Sequence, residues 1–316
     1  MTTYLVAIDG GATKTVVTLR DENGAIFYEG DSTGSNYQVI GIDAFKKVVQ
    51  NLLQELLLNH PVSTINVGVF ALAGIDTLED YQVVKEVIIE ILDELSLKIV
   101  DLIVENDAYS TLVGVTKNQA GILIISGTGS IAYAHDGKGI VARSGGWGHR
   151  SGDEGSGYWI GKQIIKTIFR MEDGRGPDTA LKEKVFEQLG KQTINDFTGW
   201  LYGEEYSVDA IASFSTLLDE AVNQGDQEAN RILYEAVDEL TNLTTSVIHS
   251  AKLNDAYCTI YLNGGTIKNF DKLFYLLKTE VEKKDTKKKV VLCNAPPIEA
   301  IYTRALVRFE ELVKKG

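Results

Sequence analysis

Short apolar runs cut by turn residues open the chain: Tyr4-Leu5-Val6-Ala7-Ile8, then Val16-Val17-Thr18-Leu19-Arg20, then a run over 25–29, with Asp21-Glu22-Asn23-Gly24 between the last two. Runs of this length, bounded by glycine and Asn-Gly, predict three strands in a meander. A helical period follows over 43–58, then a strand over 65–72, a helix over 78–95, a strand over 102–105 and a short helix after Asp107. That order predicts a mixed α/β unit. A second strand-turn-strand-turn-strand stretch spans 121–143. Helical segments then fill 155–251, including an apolar-periodic one over 228–249, before strands over 259–262 and 290–293. A last helix covers 298–314, with Pro296 and Pro297 at its start. The second unit thus repeats the first with helical insertions, and the boundary falls near 117–120.

Composition narrows the class. A chain of 316 residues with 44% hydrophobic positions can fill two cores. Its 31 basic and 44 acidic side chains give a net charge of -13, which disfavours nucleic acid or an anionic membrane as a partner. The one lysine-rich stretch, over 283–289, reads as a solvated loop. Cys258 and Cys293, the two cysteines, flank apolar runs and support neither a disulfide framework nor a metal motif, so core thiols in a reducing cytoplasm are expected. No basic-then-apolar leader precedes Tyr4, and no apolar run reaches membrane-spanning length, which predicts a cytoplasmic protein.

Two glycine turns end the first strand of each unit: Asp9-Gly10-Gly11-Ala12-Thr13-Lys14-Thr15 and Ser126-Gly127-Thr128-Gly129-Ser130. Glycine lets backbone N–H groups approach an anion, and the adjacent hydroxyls add donors. A Walker A loop does not fit, because Thr13 precedes Lys14 and a strand follows. A dinucleotide fingerprint would have to open a helix, whereas 130–135 reads as a strand entering a hairpin. Plain hairpin turns are the bland alternative; their repetition, with hydroxyl residues in both, favours a phosphate clamp.

Arg143-Ser144-Gly145-Gly146-Trp147-Gly148 and Gly152-Asp153-Glu154-Gly155-Ser156 form the densest glycine-polar segment. Carboxylates there can accept from the hydroxyls of a polyhydroxylated ligand while Trp147 covers an apolar face. Asp107, after a strand and before a helix, suits an N-cap or a general base.

Taken in order, these motifs with Glu105-Asn106-Asp107 resemble the series found in N-acetylglucosamine kinases of the BadF/BadG/BcrA/BcrD-type ATPase family. The resemblance implies the actin/hexokinase/Hsp70 architecture: two ribonuclease H-like α/β domains, 1–118 with 297–316 and 119–296, closing a cleft on Mg2+ and ATP. It implies phosphorylation of an amino sugar at its 6-hydroxyl, with Asp107 as the base. Asp9 would orient Mg2+ through water; Gly11, Thr13, Lys14, Gly127 and Thr128 fall in the phosphate motifs, and Gly264 and Gly265 on the adenosine side. Asn36, Gly146, Trp147 and Asp153, together with Asp107, match sugar-contacting positions, and a homodimer is implied. Which amino sugar is used is open between N-acetylglucosamine, glucosamine and N-acetylmuramic acid.

Three relatives within that fold compete. A ROK-type kinase or repressor calls for a zinc-binding cysteine cluster, which this sequence lacks, or for a helix-turn-helix, and none precedes Tyr4. An ATPase that activates a radical dehydratase needs cysteines placed to hold an iron-sulfur cluster. A noncatalytic sugar sensor has no need of Asp107.

Overall fold

The computed structural model describes residues 2–315, and the chain divides into two compact units, 1–119 with 295–316, and 120–294. The first unit runs β1 (Leu5–Gly10), β2 (Lys14–Arg20), β3 (Ile26–Thr33), α1 (Tyr37–Ile40), α2 (Ile42–Asn59), β4 (Thr64–Leu72), α3 (Leu78–Glu94), β5 (Lys98–Asn106) and α4 (Asp107–Thr116). The second runs β6 (Gly121–Ser126), β7 (Ser130–His135), β8 (Val141–Gly145), α5 (Gly157–Glu172), α6 (Leu181–Leu189), α7 (Ile194–Leu201), α8 (Val208–Ser213), α9 (Ser215–Asn223), α10 (Gln227–Ser250), β9 (Cys258–Asn263), α11 (Gly265–Lys268), α12 (Asp271–Lys284) and β10 (Lys288–Leu292). A final helix, α13 (Pro297–Lys315), belongs to the first unit.

Both sheets have five strands in one topology. Their orders are β3-β2-β1-β4-β5 and β8-β7-β6-β9-β10: an antiparallel meander extended by two parallel strands. This is the duplicated α/β fold of the actin-like ATPases, in which the central strands β1 and β6 each end in a glycine turn.

Why the strands read as continuous apolar runs is visible in β1. Val6 and Ile8 join the core beneath α2 and α3, while Leu5 and Ala7 pack with Ile301, Tyr302 and Ala305 of α13 on the other face. A strand covered on both faces loses the alternation of a half-exposed one. Helix α2 buries Phe45, Val49, Leu52, Leu53 and Leu56, spaced along one stripe. Each such side chain contributes about 1.5–3 kcal/mol by leaving water. Helix α13 is also pinned by charge, Arg304 to Glu105 at 3.0 Å and Arg308 to Asp101 at 2.6 Å, and Gly114 of α4 lies so close to Ala300 that any side chain there would strike its carbonyl.

Several expectations need correcting. Strand β5 starts at Lys98 rather than at 102, because as the edge strand of its sheet it can begin with Lys98 and Val100 exposed and Asp101 interrupting the apolar run. The lysine-rich stretch is not a solvated loop throughout: Lys283 and Lys284 end α12, and Lys288 is 3% exposed in β10. Its ammonium donates to the carbonyls of Leu253 and Ala256 and pairs with Asp285 at 2.8 Å, so all three donors are satisfied. Cys293 lies one residue past β10 rather than within a strand, and both thiols are buried.

Candidate active site

Parallel register gathers the first unit's acidic residues at one end of its sheet. Gly10, Leu72 and Asn106 lie side by side across β1, β4 and β5, so Asp9, the loop after β4 and Asp107 share the carboxyl edge where α/β sheets bind ligands. Asn106, not Asp107, is the N-cap of α4: its Oδ1 accepts from the N–H groups of Ala108 and Tyr109. Capping being done by its neighbour, Asp107 keeps its carboxylate for other work, although Oδ1 also accepts from Ala108 N–H at 2.9 Å. Burial pushes the Asp107 carboxyl up to about 6, offset in part by that N–H and reinforced by the charge of Asp76. Burial, then the charge of Asp107, raises Asp9 to about 7.

Asp76 belongs to a loop tied down on all sides. Asn106 Nδ2 donates to the Ile75 carbonyl and Gln38 Nε2 to that of Gly74, while Asp80 accepts from the N–H groups of Asp76 and Thr77 and from Tyr37 Oη. Asn36 caps α1 by accepting from Gln38 N–H, and its Oδ1 lies 2.5 Å from where a Cβ at Gly74 would be. Asn36 and Asp107 thus border the same loop. Asp76 was not singled out from sequence; an acid following Ala73-Gly74-Ile75 at the end of the inner apolar strand β4 is the signal that could have found it.

The first glycine turn is exposed at Ala12 and Thr13. Gly11 N–H closes it on the Lys14 carbonyl at 2.9 Å, and Ser35 N–H donates to the Gly11 carbonyl from beneath. Gly34 presses so closely that any side chain there would strike the Ala12 carbonyl. Lys14 pairs with Asp31 at 3.4 Å, both largely exposed, a contact worth little and easily exchanged for a phosphate.

In the second unit the turn at Gly127–Thr128 lines a cavity of about 360 Å³ with Asp209, Ser213, Gly265, Thr266 and Asn269. Sequence-expected residues from two distant segments meet there. Gly264, at φ 100°, passes so near the Ser126 carbonyl that only glycine fits, and Thr266 Oγ1 donates to the Gly127 carbonyl at 2.9 Å. Thr128 Oγ1 lies 3.3 Å from Asp209 Oδ1. On the other side, Gly146 at φ 71° donates to the Ser130 carbonyl, and Trp147, 69% exposed, stacks under the Arg143 guanidinium at 4.6 Å. Asp153 is enclosed rather than open, accepting from the N–H groups of Ser130 and Gly148; burial still pushes its carboxyl up. Among the described residues no group of three or more His, Cys, Asp or Glu could hold a metal ion, and no helix is long and apolar enough to cross a membrane.

The raised Asp9 carboxyl has a thermodynamic consequence. A folded pKa above the ordinary 3.8 favours folding where Asp9 is protonated, and that contribution is lost as pH rises through about 7. Without nucleotide and metal, Asp9→Asn is therefore expected to melt higher than wild type at pH 8, the difference shrinking below pH 7 and vanishing near pH 4. A scan of melting temperature against pH checks this; an Asn variant that melts lower at pH 8 contradicts it.

Residues 6–302 match the BadF/BadG/BcrA/BcrD ATPase family. The chain is 32% identical over 274 residues to an N-acetylmuramic acid/N-acetylglucosamine kinase of Clostridium acetobutylicum, covering 86% of this chain and 88% of that protein. It is 32% identical over 289 residues to an N-acetyl-D-glucosamine kinase of Dictyostelium discoideum, covering 87% and 89%. Among solved structures, a Chromobacterium violaceum protein described as an N-acetylglucosamine kinase superposes with a TM-score of 0.74 at 22% identity, over 96% of this chain and 99% of that one.

Proposed function

Given that the chain belongs to the BadF/BadG/BcrA/BcrD ATPase family, we propose that it is an ATP-dependent amino-sugar kinase acting on the 6-hydroxyl of N-acetylglucosamine or a close relative. The observation that carries the reading is Asp107. Its capping duty is taken by Asn106, and a carboxyl near 6 is mostly ionised at pH 7 yet basic enough to accept a proton. In the proposed step Asp107 takes the proton of the sugar hydroxyl as that oxygen bonds to the γ-phosphorus and the bond to the β,γ-bridging oxygen breaks, releasing ADP. Thr13 with Lys14, and Thr128 with the N–H groups around Gly11 and Gly127, would hold phosphate oxygens; the cavity beside Gly264 and Gly265 would take the nucleoside. Asn36, Gly146, Trp147 and Asp153 would border the sugar.

Mg2+, when bound, supplies positive charge to the phosphates. Asp9 is the residue assigned to hold it through water, since a buried carboxylate facing Asp107 gains most from a nearby cation. The cation would arrive with the nucleotide. The radical-dehydratase alternative is disfavoured by the cysteines. Cys258 and Cys293 sit at opposite ends of the parallel pair β9 and β10, about 16 Å apart at strand spacing, and cannot ligate one cluster together.

A coupled ADP-release assay over a panel of amino sugars tests the reading, with sugar-dependent turnover expected and sugar-independent ATP loss contradicting it. The same assay against pH should show activity falling below about pH 6 as Asp107 is protonated. Asp76→Asn removes a charge that raises Asp107, so its acid limb should move to lower pH. A shift to higher pH, or none, would remove Asp76 from the site.

A further inference from the structure

The segment from Gly145 to Tyr158 is laced to the second glycine turn along its length. Ser130 Oγ donates to the Glu154 carbonyl at 2.7 Å and Ser126 Oγ to that of Gly155 at 2.9 Å, while Gly157 and Tyr158 N–H groups donate to the carbonyls of Gly127 and Thr128 at 2.8 and 3.2 Å. Gly146 N–H closes on the Ser130 carbonyl at 2.9 Å. Asp153 sits in the middle of this lacing. It adopts φ 62°, a left-handed conformation that Asp tolerates better than most residues, and is only 7% exposed. Its carboxylate accepts from Ser130 N–H on the turn and from Gly148 N–H on the loop, and Oδ2 would lie 2.8 Å from a Cβ at Gly129. A carboxylate gripping a turn on one side and a loop on the other fixes the two relative to each other. Its neighbour in the turn is Thr128, whose hydroxyl faces the cavity.

We infer that Asp153 is a positioning residue for nucleotide binding: it holds the Gly127-Thr128-Gly129 turn in the shape that presents Thr128 to a phosphate. The inference rests on the kinase reading above and extends it, because a purely sugar-binding Asp153 would leave nucleotide affinity untouched when no sugar is present.

The test is calorimetric titration of Mg-ADP into the sugar-free full chain, with circular dichroism confirming that each variant is folded. Asp153→Ala is expected to weaken Mg-ADP binding by about tenfold or more. Asp153→Asn keeps one oxygen acceptor and should lose less, and it stands in if the alanine variant does not fold. Thr128→Val should also bind more weakly, and the double variant Asp153→Ala/Thr128→Val should be no weaker than the worse single one, since Asp153 acts through the turn. Mg-ADP affinity in both Asp153 variants within twofold of wild type, with amino-sugar affinity reduced, would overturn the inference, as would fully additive losses. Failure of wild type to bind Mg-ADP would instead overturn the kinase reading, and the inference with it.

Discussion

Asp107→Asn is expected to lower kcat by roughly 10²–10⁴ while amino-sugar affinity stays within a few fold, the usual cost of removing a general base. The amide keeps the shape of the side chain and can still accept from Ala108 N–H, so α4 should start where it does now, with Asn106 as its cap. What the amide cannot do is take a proton. Steady-state kinetics with a separate sugar titration distinguish these effects, and a kcat within a few fold of wild type would remove Asp107 as the base. The substitution also removes a charge that raises Asp9, so in the nucleotide-free variant Asp9 should titrate below about 7.

The second large effect is expected in the second unit. Gly264 occupies φ 100° directly over the Ser126 carbonyl, and an alanine there meets both backbone strain, of order 1–3 kcal/mol, and a collision with the strand that feeds the Gly127–Thr128 turn. Relief requires β6 or the start of α11 to shift, which reshapes the cavity. Gly264→Ala should therefore lower kcat/KM for ATP by at least about tenfold, since each 1.4 kcal/mol is a factor of ten. Unchanged ATP kinetics would contradict the assignment of that cavity to the nucleotide.

How much was legible in the chain follows from which signals are local. The glycine turns and flanking apolar strands were readable because a covered central strand is apolar throughout and a tight turn needs glycine. The choice between Asn106 and Asp107 as helix cap was not, because both are short polar residues and the outcome depends on where β5 stops. Nor was the influence of Asp107 on Asp9, 98 positions apart in the numbering, which arises only from the register of β1, β4 and β5. Asp153 could be picked out as a carboxylate in a glycine loop. Its enclosure depends on Gly129, far off in sequence, having no side chain to keep it away. Lys288 misled for the opposite reason: a lysine run looks solvated, and it takes the carbonyls of Leu253 and Ala256 together with Asp285 to explain why one member is buried.

The central claim is that the protein moves the γ-phosphoryl group of ATP to the 6-hydroxyl of an amino sugar with Asp107 as base. Phosphorus-proton correlation NMR on the products of the purified full chain with Mg-ATP and N-acetylglucosamine, glucosamine or N-acetylmuramic acid tests it most directly. The account predicts a phosphomonoester coupled to the C6 protons, formed one-for-one with ADP and greatly diminished in Asp107→Asn. Inorganic phosphate with no phosphorylated sugar, or a phosphate on another carbon, would contradict it.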